Sequence, residues 1–189
     1  MGMMLQAALL LDEMADVEQF LNKLVTYAYL PQFEGWICPE GIIVHRDGEL
    51  YLPVNGYLGQ DSHLADATKA LRVMLGFDDN DPGQLRLVPR YPDSWKSTSV
   101  ERFPVLTGST RQLAGYSYQR TDSGQRFSYS FEWPVENLSV RLGPLSSDSV
   151  KVTVNGAGVP VVVEKSGDSL WAWVTGLHEK TGEIELCVS

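Results

Sequence analysis

Cysteine and histidine are scarce in this 189-residue chain, with two of the first and three of the second. Cys38 and Cys187 stand far apart and make no CxxC spacing, so neither a disulfide framework nor a thiolate metal site is expected. His45, His63 and His178 lack the i, i+4 spacing or the carboxylate companions of a metal site. No metal or other cofactor is expected. Positive charge is also short: 15 Lys and Arg against 24 Asp and Glu leave a net charge of −9. Phosphate binding needs a concentrated basic surface, so nucleic acid is excluded as a partner. No apolar run approaches the roughly 20 residues that span a bilayer, and no membrane partner is expected. The opening MGMMLQAALLLDEMADVEQF has no basic segment ahead of its apolar stretch and runs straight into acidic helical sequence. It does not read as a signal peptide, and a cytoplasmic location is expected. GxSxG, P-loop and GxGxxG patterns are missing, which removes nucleophile-elbow and nucleotide-binding readings.

What is present falls into two textures. From Leu5 to about Tyr29, apolar residues at Leu9, Leu10, Met14, Val17, Leu21, Leu24 and Val25 approach 3.6 periodicity, which predicts one helix ended by Pro31. A second helix is predicted over Ser62 to Leu75, capped by Asp61 or Ser62, with Gly76 suited to the C′ position. Between them IIVHRDGELYLPV (42–54) predicts a hairpin turned at Asp47-Gly48. FDDNDPGQ (77–84) reads as a polar loop.

Beyond it the period becomes two. FSYSFEW sets Phe127, Tyr129, Phe131 and Trp133 on one face, and Leu138, Val140 and Leu142 alternate, as do Val150, Val152 and Val154, and Ile184, Leu186 and Val188. Turn signals recur at Asp122-Ser123-Gly124, Asn155-Gly156, Ser166-Gly167-Asp168 and Thr181-Gly182. This predicts an α+β, mainly β chain: an antiparallel β-sandwich (85–189) packed against a short helical section with a β-hairpin (1–84). In SLWAWVT both faces are apolar, so burial on both sides is expected. One side is the sandwich core and the other the helical section or a sugar platform. The first helix is apolar over more than one stripe, because Leu9, Leu10 and Leu11 are consecutive. Such a helix packs between neighbours. It is read as the remnant of a larger helical domain, docked on the sandwich.

LRLVPRYPDSW (85–95) sits where the textures meet. Leu85 to Val88 open a strand, and Pro89 and Pro92 end its pairing, since proline gives no ladder donor. Trp95 is expected to pin the exit against the helices. The order of helix, FEGWICPEGI (33–42), NGYLGQDSHLADATKALRVMLG (55–76), LRLVPRYPDSW and sandwich resembles the C-terminal end of six-hairpin (α/α)-barrel glycoside hydrolases and their phosphorylase relatives. The Pro-x-x-Pro-x-x-Trp run is the most specific point of likeness. A full toroid has about twelve helices, and two are predicted here. The resemblance implies the C-terminal portion of a glycoside hydrolase-like protein, its sandwich supporting a helical catalytic domain and the chain inactive alone. A free-standing carbohydrate-binding module, with Trp36 or Trp171 and Trp173 as platforms, and a structural or protein-interaction domain are the alternatives.

Glycoside hydrolysis needs two carboxyl groups flanking the scissile bond. Glu34 and Glu40 are the catalytic candidates, each in a Gly/Pro-containing loop beside Trp36, whose indole can stack on a sugar. The competing reading is that Glu40 braces the hairpin and Trp36 packs. Asn55, Tyr57, Gln60 and Asp61, with His63, form a polar-aromatic cluster at the start of the second helix. They can bind sugar hydroxyls, or Asp61 merely caps the helix over Tyr57. The expected partners are an oligosaccharide or glycoside, and either the rest of a helical catalytic domain or a second copy bound through helix one.

Overall fold

The structure, a computed structural model, describes residues 2–28, 43–44, 50–51 and 61–188. Among the described residues there are three helices: α1 (Gly2–Leu10), α2 (Met14–Ala28) and α3 (Asp61–Leu75). The single first helix expected from periodicity is two. Asp12 adopts φ 56°, the left-handed region that ends a helix. The Asp12 N–H donates to Leu9 O at 3.3 Å and the Glu13 N–H to Ala8 O at 3.0 Å, the paired bonds of a Schellman C-terminus. The usual glycine of that motif is here an aspartate, and its side chain has a use described below. α3 ends as expected: Gly76, at φ 73°, donates its N–H to Arg72 O at 3.1 Å.

The expected hairpin is a short antiparallel pair, β1 (Ile43–Val44) and β2 (Leu50–Tyr51), with Ile43 opposite Tyr51 and Val44 opposite Leu50. Its Asp47-Gly48 turn lies outside the described residues. The polar loop expected over 77–84 is mostly strand. Phe77–Asp81 form β3 and Gln84–Leu87 form β4, paired antiparallel around Pro82-Gly83 with Phe77 opposite Leu87. A single aromatic anchors β3, since Phe77 is buried and stacked on Phe103 at 4.2 Å. The acidic run after it hid the strand.

Nine more strands follow: β5 (Ser97–Thr107), β6 (Thr110–Thr121), β7 (Gly124–Phe131), β8 (Leu138–Leu145), β9 (Val150–Val154), β10 (Ala157–Val159), β11 (Val162–Ser166), β12 (Ser169–Leu177) and β13 (Thr181–Val188). They make two sheets, ordered β10-β9-β13-β7-β6-β5 and β11-β12-β8-β4-β3. Among the described residues every pairing is antiparallel except β4 with β8, where Leu85, Arg86 and Leu87 run parallel to Leu138, Ser139 and Val140. This is the predicted α+β β-sandwich.

The two sheets differ in what they cover. β7 alternates, with Phe127, Tyr129 and Phe131 buried and Arg126 and Ser130 exposed, as for a sheet with one solvated face. β8 is buried from Leu138 through Gly143, so the five-stranded sheet has both faces covered there. Leu138, Val140 and Leu142 turn to the sandwich core, while Arg141 turns the other way, to Asp12 beyond α1. Leu5 and Leu9 of α1, Val17 of α2 and Met74 of α3 join Phe127, Leu138 and Ile184 in one continuous hydrophobic core. Each such side chain removed from water contributes about 1.5–3 kcal/mol. The docking of the helices on the sandwich is therefore a shared core.

Three finer expectations change. Trp133 does not share the buried face of Phe127, Tyr129 and Phe131: β7 stops at Phe131 and the indole is 62% exposed. Thr181-Gly182 is the start of β13, where Gly182 pairs with Tyr129, and no turn is made there. Trp95 stacks on Tyr91 at 5.6 Å, and the bonds from this segment to the end of α3 come from Val88 and Arg90.

Candidate functional site at the helix–sandwich joint

Glu34, Trp36, Glu40, Asn55, Tyr57 and Gln60 lie outside the described residues, as does Cys38. Asp61 is the first residue of α3. The described residues therefore do not bear on the predicted catalytic pair or on the sugar-binding cluster. Among the described residues the densest polar constellation is a different one, and it holds the helices to the sandwich.

Its centre is Asp12, 2% exposed between α1 and α2. Arg141 of β8 donates to it through both terminal nitrogens, at 2.6 and 2.9 Å, in the two-pronged geometry that suits a guanidinium to a carboxylate. Arg90 donates Nε–H to Asp12 Oδ1 at 2.8 Å, and the Ser166 hydroxyl to Oδ2 at 2.6 Å. Burial alone would push the Asp12 carboxyl up. The hydrogen bonds from Arg141 and Ser166 and the two positive charges outweigh it, and Asp12 lies below the ordinary carboxylate range. One carboxylate thus joins a helix break, the joint segment, strand β8 and the β11–β12 turn.

Arg141 is itself walled in. Its guanidinium carbon sits 4.3 Å from the centroid of Trp171 and 5.7 Å from that of Trp173, within reach of a cation–π attraction. Trp171 is fully buried, and the Trp173 indole N–H donates to Glu164 at 2.6 Å. The pair is therefore no open sugar platform. It encloses a buried cation, in line with the expected burial of SLWAWVT on both sides.

The β11–β12 turn makes a second clasp. Asp168 accepts the Met14 and Ala15 N–H groups, both at 3.1 Å, so a sandwich carboxylate caps the N-terminus of α2. Burial pushes the Asp168 carboxyl up, but the Ser169 hydroxyl and those two amides together outweigh it and hold its pKa below the usual value. Gly167, at φ 58°, lets this turn come close: a Cβ there would stand 2.3 Å from Asp12 O and 2.4 Å from Leu11 O.

LRLVPRYPDSW completes the joint by satisfying the last carbonyls of α3. The Val88 N–H donates to Gly76 O at 2.7 Å and the Arg90 N–H to Met74 O at 2.9 Å. The Tyr116 hydroxyl donates to Leu75 O at 2.7 Å, and Arg90 Nη1 reaches Val73 O at 3.5 Å. A helix end leaves such carbonyls without intrahelical partners, and here each has one. Tyr91 in turn hydrogen-bonds Tyr116 through the hydroxyls. Its burial pushes the phenol up to about 12.

Sequence reasoning found the joint segment but missed Asp12, Arg141 and Asp168. Two signals were available: an aspartate interrupting the apolar run LLLDEM, and an arginine inside a strand otherwise free of charge, SVRLGPL. Among the described residues no group of three or more His, Cys, Asp or Glu is placed to hold a metal ion, and no helix is long and apolar enough to cross a membrane.

The class this geometry defines is a two-sheet β-sandwich with helices locked to one face. No protein-family model matches the chain, and no curated protein does. Among solved structures it is similar to an α-L-rhamnosidase from Dictyoglumus thermophilum, with TM-score 0.45 and 15% identity, over 65% of this chain and 13% of that one. It is also similar to a GH127 β-L-arabinofuranosidase from Geobacillus stearothermophilus T6, with TM-score 0.42 and 17% identity, over 67% of this chain and 18% of that one. The chain spans less than a fifth of the length of either protein.

Proposed function

We propose that this chain is the supporting part of a glycoside hydrolase-like carbohydrate-active protein. The sandwich and its docked helices brace further catalytic helices, and the chain by itself is inactive. The observation that carries this reading is an apolar strip left open on the helices. Met3, Met4, Leu10 and Leu11 of α1 and its end are 67, 54, 62 and 64% exposed. Val25 of α2 and Leu71 of α3 add to them. Scattered exposed apolar residues need no explanation, but three large ones on a single nine-residue helix, with Leu11 just past its end, form a surface suited to a partner. The opposite side of that helix, with Leu5, Ala8 and Leu9, is already in the core. A helix buried on one side and apolar on the other fits between two layers, which is the position of a helix in a helical toroid. The sequence likeness of LRLVPRYPDSW to the toroid–sandwich link, and its use here to seal the end of α3, support the same reading.

Two measurements test it. The purified chain is expected to release no product from a panel of aryl glycosides; hydrolysis that disappears in Glu40→Gln would overturn the inactive assignment. Without partner helices the open strip is expected to drive self-association in sedimentation, and Leu10→Lys with Leu11→Lys to restore a monomer of unchanged melting temperature. A wild-type chain that stays monomeric throughout the micromolar range sinks the bracing role.

A further inference from the structure

We infer that the end of the sandwich around Trp133 is a binding site for a neutral sugar ring. This site is separate from the helix joint, lies beyond the supporting role proposed above and stands without it. The first observation is Trp133 itself, a large aromatic with 62% of its surface in water. Tryptophan is seldom left open without a use, because its burial contributes more than that of almost any side chain. It is not a loose residue. The backbone N–H of Trp133 donates to Gln112 Oε1 at 2.9 Å, and Gln112 is 98% buried by its 2% exposure. Gln112 Nε2 is in turn fixed on Thr107 Oγ1 at 2.9 Å. Pro134 follows and fixes the backbone beyond. The indole is thus presented by a braced backbone.

The second observation is the cavity beside it. About 310 Å³ is enclosed between the β3–β4 turn, the β5–β6 turn and the segment 133–137. That volume lies at the small end of ligand sites, enough for a single ring. Its polar groups are hydroxyls and amides: Ser109, Thr110, Gln84 and Asn137, with one carboxylate, Glu136. The Asn137 amide donates to Gly83 O at 3.4 Å and the Gln84 amide to Ser139 Oγ at 2.9 Å, so both amides are oriented. Their carbonyl oxygens, the Ser109 and Thr110 hydroxyls and the Glu136 carboxylate have no hydrogen-bond partner among the described residues.

The chemistry selects the ligand class. No lysine or arginine lines the cavity, which turns away phosphates, sulfates and carboxylates. A single carboxylate with hydroxyl and amide acceptors suits a ligand rich in O–H donors. An open indole suits a ligand with one flat C–H face. A pyranose or furanose offers both in one molecule. A proline-containing peptide offers the apolar face but few O–H donors, and the lining favours the sugar.

The test titrates the full chain, at millimolar concentration of ligand, with methyl glycosides of glucose, galactose, mannose, rhamnose, xylose and arabinose, and separately with a polyproline peptide. The Trp133 indole N–H resonance reports occupancy. At least one glycoside is expected to shift it saturably. Trp133→Ala is expected to weaken that binding at least about tenfold, with Trp133→Tyr recovering part of it and the melting temperature unchanged, since the indole is open to water. Thr110→Val is expected to weaken it independently. No saturable shift with any glycoside, binding unaltered in Trp133→Ala, or a response to the peptide alone overturns the inference. None of these readings depends on turnover or on self-association through α1.

Discussion

Arg141 grips Asp12 across 129 positions of sequence, with both guanidinium nitrogens on one carboxylate. The bond matters because both partners are almost out of water, at 4% and 2% exposure. Removing one partner of a buried pair leaves the other charge uncompensated, which costs about 3–5 kcal/mol. Asp12→Ala is therefore expected to lower stability by that order in urea unfolding. Asp12→Asn tolerates the same left-handed backbone but loses the charge and sets an N–H donor where one oxygen accepted from arginine, and it is expected to show most of the effect.

The same carboxylate sets an acid limit. Its folded value lies below the ordinary 3.8, so the folded state binds its proton less readily than the unfolded chain. The stability it contributes is fully present above about pH 4 and is lost as pH falls through the lowered folded value. Urea midpoints measured down the acid range are expected to drop below pH 4 in the wild type, and to drop less in Asp12→Asn.

At the alkaline end the sign reverses. Tyr91 is held up to about 12 by burial, and Tyr116 and Tyr118 are raised as well. The folded state keeps these phenols neutral, so stability is intact below about pH 10 and falls as pH rises toward 12 and beyond. Tyrosinate absorbance is expected to show a step above pH 10 that coincides with loss of near-ultraviolet dichroism.

Gly167→Ala is expected to be among the most damaging glycine replacements. Its backbone is left-handed and the added carbon would meet two fixed carbonyl oxygens of the α1–α2 break. A loss well above 1 kcal/mol is expected. Gly158→Ala, where a Cβ meets nothing within 4 Å, is the control and is expected to change stability little.

Asp168→Ala removes the clasp on α2 and is expected to cost about 1 kcal/mol. Faster hydrogen exchange of the Met14 and Ala15 amides, with β12 unchanged, locates the effect. Asp168→Asn leaves one acceptor oxygen for the two amides and is expected to keep only part of the cap.

The sandwich was legible because its strands obey period two and its turns carry Asn-Gly or Gly-Asp. The second helix was legible from its spacing and from Gly76. The break at Asp12 was not, since its cause lies more than 70 residues away in Arg90 and further still in Arg141 and Ser166. β3 was hidden because one buried phenylalanine outweighs four acidic or amide neighbours. Alternation sets Trp133 on the face of Phe127, Tyr129 and Phe131, but period two says nothing about where a strand stops. Glu34, Glu40, Trp36 and the cluster from Asn55 to Gln60 lie outside the described residues, and their chemistry rests on residue type.

The joint also sets an order of assembly. Asp12 is made 154 residues before Ser166, an interval of roughly 8–30 s at ordinary rates of synthesis. Arg90 and Arg141 follow Asp12 earlier in that interval, but the clasps of the β11–β12 turn come last. The set of bonds on Asp12 and on the start of α2 is therefore complete only when the β11–β12 turn emerges. The last third of the chain decides when the first part becomes native.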